Sequence, residues 1–355
     1  MAATLYVASL EANSGKTSMC LAIGLEFKER GLSVGYMKPL GTAPVEIGGV
    51  LSDQDCLFMA NAMGLEEPLE RICPLLLTAD LMEEPVKGPV AGVREQILDA
   101  YRLMAKGRDV VIMEGKATLA DGYALGVAVP YLASATNAKV LLVVRYKPGM
   151  DVDQILMAKD TLGDRLIGVI LTRVPPEVRA YVQAQFPSFL ARYGMASYGV
   201  LPVDKVLTAI TVRDLASVLG GEVLCCKDKL DELVENFTVG AMNVDSALRR
   251  FLRMPNKAVI TGGDRADIQL AALQTSTKVL ILTGNLQPDA VILGRAMEVG
   301  VPIIVVKCDT MTAVNQVDSA LSRIRLPNQR QLSRLRQLVK KEVDLQGLYK
   351  QLGLK

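Results

Sequence analysis

Thr4-Leu5-Tyr6-Val7-Ala8-Ser9-Leu10-Glu11-Ala12-Asn13-Ser14-Gly15-Lys16-Thr17-Ser18 is the stretch that decides the fold. Leu5 to Ala8 is a short apolar run rich in β-formers and predicts a strand. Ser14-Gly15-Lys16-Thr17-Ser18 follows, and a helical pattern runs from there to Arg30. Strand, tight loop and helix in that order make a phosphate cradle, because the loop N–H groups and the positive helix end face the phosphates. Asn13, Ser14, Gly15, Lys16, Thr17 and Ser18 are the candidate contacts. Lys16 reaches the outer phosphates, and the Thr17 hydroxyl is a candidate Mg²⁺ ligand. The usual pattern has a further glycine where this chain has Leu10. The competing reading is an ordinary capped helix start with Lys16 in solvent.

Bulk properties narrow the function. A chain of 355 residues predicts roughly two or three domains. Hydrophobic residues make up 50%, enough for a large core, and the net charge of +2 argues against a dedicated nucleic-acid binder. There is no Trp and aromatics are 5%, which argues against base-stacking platforms. No apolar run is long enough to span a bilayer and no signal peptide is recognisable, so the expectation is a cytoplasmic protein without a membrane partner. The cysteines are Cys20, Cys56, Cys73, Cys225, Cys226 and Cys308, with no CxxC pair, and they predict free thiols in a reducing compartment. The chain has no His, which removes Ser-His and Cys-His catalysis and counts against zinc.

Taken in order, Leu32 to Met37 predicts a second strand ending in Lys38-Pro39-Leu40-Gly41. Ligands collect at the carboxyl edge of open α/β sheets, so Lys38 is a second candidate cation for phosphate or an acidic substrate. A surface lysine held by a turn is the alternative. Ser52-Asp53-Gln54-Asp55 precedes the helical run Cys56 to Met63 and carries one carboxylate for a helix cap and one to spare for Mg²⁺. The Pro-rich segment Pro68 to Pro89 predicts a long loop. Val93 to Met104 is an amphipathic helix, and Arg108 to Gly115 a buried strand ending in Glu114, a candidate metal contact. Lys116 to Gly126 reads as a loop, followed by strands at 138–144, 166–171 and 195–201 that alternate with helices at 151–162 and from Pro176. Such alternation predicts a mainly parallel sheet with helices on both faces.

A boundary is expected between Leu207 and Glu222, giving domains 1–210 and 211–325. The second domain again alternates strand and helix. Its turns Gly262-Gly263-Asp264-Arg265 and Thr283-Gly284-Asn285 sit at adjacent strand ends, so Gly262, Gly263, Arg265, Thr283 and Gly284 form a candidate anion or nucleotide crevice. Asp264-Arg265 reads alternatively as a helix-start ion pair. From 326 the chain becomes a basic helical tail with the apolar stripe Leu332, Leu335, Leu338 and Val339, read as a helix packed on the body or on a partner subunit.

Together, Ser14-Gly15-Lys16-Thr17-Ser18, Lys38-Pro39, Asp53-Gln54-Asp55 and Glu114-Gly115 resemble the dethiobiotin-synthetase-type ATP-binding module, which also forms the N-terminal part of long phosphotransacetylases. Thr261 to Arg265 and Leu282 to Asn285 are similar to the DRTGG domain that follows it there. The resemblance covers about residues 3–325. It implies a P-loop NTPase-like α/β domain followed by a smaller α/β domain of DRTGG type, binding of ATP with Mg²⁺, and a homodimeric habit. Gly15, Lys16 and Thr17 would cradle phosphates, and Thr17, Asp55 and Glu114 would share Mg²⁺, with Asp53 the alternative to Asp55. Lys38 would face phosphate or substrate. Thr172 stands where the synthetase carries an Asn that reads the base, and Lys116-Ala117-Thr118 replaces a Gly-rich continuation.

The acetyl-transfer domain of phosphotransacetylase needs residues that the sequence up to Lys355 does not supply. The expectation is therefore an ATP- and Mg²⁺-binding regulatory or sensor protein resembling the front half of that enzyme, with a small-molecule ligand in the second domain. An ATP-dependent synthetase acting on a small carboxylate or amine, with Lys16 and Lys38 as catalytic cations, is the second expectation. A structural remnant that binds no nucleotide is the third.

Overall fold

A computed structural model describes residues 2–47, 49–322 and 328–354. The chain divides into two compact units: Met1–Val203 together with Leu326–Lys355, and Asp204–Arg325. The expected start of the C-terminal segment, at 326 and 327, lies outside the described residues. No helix among those described is long and apolar enough to cross a membrane.

The first unit is built on a six-stranded sheet. Its strands are β1 (Ala3–Ala8), β2 (Val34–Met37), β3 (Val110–Glu114), β4 (Lys139–Arg145), β5 (Leu166–Val174) and β6 (Ala196–Pro202). They lie in the order β6-β5-β4-β1-β3-β2 and every pairing is parallel. Parallel strands need crossover helices that cover both faces, so the strands read as continuous apolar runs. Leu5, Val7 and Ala8 of β1 and Val110 to Met113 of β3 are accordingly fully buried. The chain leaves β1 at the centre, passes outward to β2, returns to β3 and then crosses to β4. This reversal leaves a crevice at the carboxyl ends beside β1, the place where doubly wound sheets hold ligands.

Helix α1 (Lys16–Glu29) is covered by the sheet and, on its outer side, by the C-terminal helix Gln329–Glu342. The apolar stripe of that helix buries Leu335, Leu338 and Val339. Its basic face meets acids of α1: Arg336 Nη2 is 3.0 Å from Glu26 and Lys340 Nζ 2.8 Å from Glu29. Asn328 and Gln331 start it with a reciprocal capping box. The basic segment is thus the outer layer of the first unit.

The Pro-rich segment departs from the expected long loop. It holds a short helix Leu69–Ile72, a strand Leu75–Leu76 paired with Leu40–Gly41, and a helix Ala79–Lys87. Thr78 caps that last helix through the Leu81 N–H at 3.3 Å. Pro85 inside it forfeits one hydrogen bond, a cost that a short helix without buried residues can carry.

The second unit has a five-stranded sheet of β7 (Glu222–Val223), β8 (Asn236–Val239), β9 (Lys257–Gly262), β10 (Thr277–Thr283) and β11 (Ile303–Val305), in the order β7-β11-β10-β9-β8. All pairings are parallel except that of β7. Alternate residues feed two cores, as a period of two demands. Val259, Leu280, Leu282 and Ile303 pack with Phe251, Ile268 and Ile292 of one helical layer. Ala258, Ile260, Val279 and Ile281 pack with Val212, Leu215, Ala313 and Val317 of the other.

Candidate functional site

Four turns converge on the carboxyl edge of the first sheet, after β1, β2, β3 and β5. Gly15 caps α1 with φ of +98°, a left-handed conformation that a side chain resists, and nothing lies within 4 Å of where its Cβ would be. The next two residues turn inward. Lys16 is only 5% exposed, so it is not a solvated lysine. Its ammonium donates to Ser9 Oγ at 2.7 Å, and Ser9 Oγ in turn donates towards the Ala117 and Glu11 carbonyls at 2.7 and 2.8 Å. Burial pulls the Lys16 ammonium below its ordinary range, and the nearby Glu114 carboxylate opposes that pull.

Thr17 Oγ1 donates to Glu114 Oε1 at 2.6 Å, and Tyr36 donates to Glu114 Oε2 at 2.7 Å. Glu114 is buried at the tip of β3, where desolvation raises its pKa; Lys38 and the Thr17 and Tyr36 hydroxyls partly hold it down. Lys38, just past β2, lies between two carboxylates, 2.9 Å from Asp53 and 2.6 Å from Asp55. Burial alone would lower its pKa, but Glu114, Asp55 and Asp53 together outweigh burial and raise it.

The two aspartates differ in what remains to them. Asp53 is the N-cap of α2 (Gln54–Met63). Its Oδ1 accepts from the Asp55 and Cys56 N–H groups, and its Oδ2 from those of Thr42 and Ala43, at 2.7 to 3.4 Å. With Lys38 added, both oxygens are fully used. Asp55 gives one oxygen to Lys38 and keeps the other at the edge of the site. Thr172, at the end of β5, donates to the Ser14 carbonyl at 2.8 Å and to that of Val144 at 3.3 Å, so it braces the loop. Asn13 adopts φ of +57° in the loop, Ser14 Oγ is buried without a partner, and Ser18 is half-buried.

Lys16, Thr17, Glu114, Lys38, Asp53 and Asp55 thus meet at one edge. Among the described residues no set of three or more Cys, Asp and Glu side chains is placed to hold a metal by itself. Ser9 and Tyr36 were not singled out from the sequence: a strand tyrosine reads as core and a loop serine as solvent-facing.

The second unit's edge is closely packed. Gly262 and Thr283 pair in register, so the two turns are neighbours. A Cβ on Gly263 would lie 2.4 Å from Leu286, so the loops touch backbone to backbone there. Thr283 Oγ1 lies 2.8 Å from Thr310 Oγ1. Arg265 donates to both oxygens of Asp267 and to the Met242 carbonyl, all at 3.0 Å. The helix-start partner of Arg265 is therefore Asp267 and not the adjacent Asp264. Gln269, fully buried, donates to the Gly262 and Gly263 carbonyls at 3.1 Å, while its Oε1 has no partner.

A parallel sheet whose central strand runs through a lysine- and threonine-bearing loop into α1 is a P-loop-type architecture. The chain belongs to the AAA domain family, which it matches over residues 3–236, and a DRTGG domain matches over residues 214–320. It is 27% identical over 309 residues to a phosphate acetyltransferase of Synechocystis sp., covering 82% of this chain and 43% of the relative. It is 26% identical over 122 residues to an ATP-dependent dethiobiotin synthetase of Caldicellulosiruptor bescii, covering 32% and 48%. Among solved structures, the CBS and DRTGG regulatory region of Clostridium perfringens pyrophosphatase is 18% identical, with a TM-score of 0.28, covering 41% of this chain and 71% of that one. The chain spans about half the length of the curated relatives it matches. The expected kinship with the N-terminal portion of phosphotransacetylases holds on these grounds.

Proposed function

We propose that the chain binds ATP with Mg²⁺ in its first unit and acts as a nucleotide-responsive regulatory protein. The observation that carries this reading is the pair Lys16–Ser9 beside the trio Thr17–Glu114–Tyr36 at one sheet edge. The residues fit the group. Thr17 Oγ1 and Glu114 Oε1 are hard oxygens 2.6 Å apart, Asp55 keeps one oxygen at the edge, and Mg²⁺ takes one or two carboxylates plus phosphate oxygens. The Ser14 hydroxyl is unpartnered and the space before Gly15 is open. Mg²⁺, when bound, neutralises phosphate charge.

In this reading Lys16 turns from Ser9 to the outer phosphates, and Thr172 keeps the loop in place through the Ser14 carbonyl. Asp53 serves as the cap and Asp55 with Glu114 as the acidic contacts. Lys38 is committed to Asp53 and Asp55, which favours binding over phosphoryl transfer to a substrate carboxylate. The second unit takes a small-molecule effector, with Gly262, Gly263, Arg265, Thr283 and Gly284 as its edge. The free thiols and the resemblance suit a cytoplasmic homodimer.

The test is calorimetric titration with ATP and Mg²⁺ on wild type and Lys16→Ala, with phosphate release followed across a panel of small carboxylic and amino acids. Binding in wild type, its loss in Lys16→Ala and no phosphate release are expected. An absence of wild-type binding sinks the reading, and substrate-dependent phosphate release replaces it with the synthetase.

A further inference from the structure

A cleft of about 500 Å³ lies at the far end of α1 from the phosphate loop. Pockets that take small molecules enclose about 300–1,000 Å³. One wall is the end of α1, from Glu26 to Arg30. The other is the bend that joins helix Gln329–Glu342 to the last helix, Leu345–Leu352. The bend is anchored on the sheet. Val343 bridges to Gly199 of β6, and the Asp344 N–H donates to the Tyr198 carbonyl at 2.8 Å. A Cβ on Gly199 would lie 2.7 Å from the Glu342 carbonyl oxygen, so a glycine is what lets the two backbones approach.

The charges that line the cleft fall into two groups. Glu26, Glu29 and Lys340 are spent on one another and on Arg336. Arg30 and Asp344 are not: neither makes an ion pair among the described residues. Arg30 is nevertheless held in place. Its guanidinium lies over the Tyr349 ring, 4.0 Å from the centroid. Gln346, with its amide oxygen turned inward, accepts from Arg30 Nη2 at 2.9 Å and Nη1 at 3.3 Å. The other N–H groups of the fork are left to a ligand. Asp344 is fixed as the N-cap of the last helix, where its Oδ1 accepts from the Gly347 N–H at 2.9 Å. Stacking holds the cation and capping holds the anion, so the two face one cleft without pairing.

We propose that this cleft binds an α-amino acid with an apolar side chain, its carboxylate on Arg30 and its ammonium on Asp344. A simple amine or a simple acid leaves one of the two fixed charges unmatched, whereas a zwitterion answers both with charge-assisted hydrogen bonds. Val343 and Leu345, the apolar residues of the bend, offer their remaining surface to the ligand side chain.

Saturation-transfer NMR on the full chain, observing L-leucine, tests this against two half-ligands. Isopentylamine lacks the carboxylate, and 4-methylpentanoate lacks the ammonium. Leucine is expected to bind, and each half-ligand about tenfold more weakly, since it forfeits one hydrogen-bonded charge. Arg30→Gln and Asp344→Asn should each weaken leucine by a similar factor. Asn caps a helix about as well as Asp, so Asp344→Asn removes the charge and keeps the last helix. Lys16→Ala should leave leucine binding unchanged, because the 14 residues of α1 set its ends roughly 20 Å apart. The outcome is thus independent of the phosphate loop. An absence of saturation transfer to leucine overturns the proposal, and so does a half-ligand that binds as tightly as leucine. Leucine binding that survives both cleft variants, or that disappears in Lys16→Ala, takes place elsewhere and overturns it too.

Discussion

Replacing Lys38 by Met tests how the carboxyl edge of the first sheet is held together. The ammonium lies 2.9 Å from Asp53 and 2.6 Å from Asp55, and the Lys, Asp53 and Asp55 side chains are 6%, 0% and 13% exposed. Met keeps most of the stem and removes the charge. Removing one partner of a buried pair costs about 3–5 kcal/mol, because it strands the opposite charge. Asp53 keeps four backbone N–H donors, so the lower end, about 3 kcal/mol, is expected. The pH dependence has a definite sign. Burial would raise the Asp53 pKa, but Lys38 and the backbone donors hold it below its ordinary 3.8. Its contribution is therefore present above that value and is lost as pH falls through the lower folded value. The Lys38 pKa is raised above 10.5, so its contribution is complete below that value and is lost only as pH rises through the folded one. In Lys38→Met burial dominates, and the stranded carboxylates destabilise the fold more as they ionise. The deficit against wild type should be smallest near pH 4 and grow towards pH 7, roughly across the carboxylate range. Urea unfolding followed by far-UV circular dichroism reads it, since the chain has no Trp. A deficit below about 1 kcal/mol, flat with pH, would be that of a surface ion pair and would refute the buried triad. An Asp55→Asn variant and the double variant close the cycle, and the Lys38–Asp55 coupling should exceed about 1 kcal/mol.

Two further outcomes follow from the same geometry. Glu114→Gln should weaken Mg²⁺-dependent nucleotide binding in calorimetry. The raised Glu114 pKa also means that wild-type stability falls as pH rises above 4.5 through the folded value, so the variant should gain on wild type over that range. Lys257, fully buried at the start of β9, bonds only Thr275 Oγ1 and the Ser276 carbonyl among the described residues, and burial pushes its pKa down to about 8. Wild-type stability should rise from pH 8 towards 10.5 while Lys257→Met stays level, and the variant should be more stable at pH 7 by about 1–3 kcal/mol in urea melts.

The phosphate loop was legible because its chemistry is local: strand, glycine with positive φ, lysine and threonine stand in sequence order. The carboxylates were legible as types, since Asp53 heads a helix and Glu114 ends an apolar run. Their division of labour was not. Which aspartate spends its oxygens on backbone depends on the Thr42 and Ala43 amides, supplied by a turn that no pattern in 38–53 announces. Tyr36 and Ser9 were hidden for the opposite reason, since one looks like core and the other like loop. The segment 68–89 misled because its prolines punctuate short elements without abolishing them. Lys257 was not singled out from the sequence, and its full burial, with Phe251 5.5 Å from its ammonium, shows it to be interior.

The two units use the same construction, but their edges differ. In the second, the groups at the strand ends are mostly spent on one another: Arg265 on Asp267, Thr283 on Thr310, Gly263 against Leu286. In the first, the groups are paired in a way that a ligand can take over. Lys16 on Ser9 is a cation on a neutral oxygen, and a phosphate is a stronger acceptor. Thr17 on Glu114 is a hydroxyl on a carboxylate, and a divalent ion between them would draw on both. Binding at this edge therefore exchanges bonds instead of creating them from solvent, and its free energy is the difference between the two sets. A site built this way binds less tightly than its contacts suggest and releases readily. Under the proposed reading, that behaviour suits a protein that reports a nucleotide level.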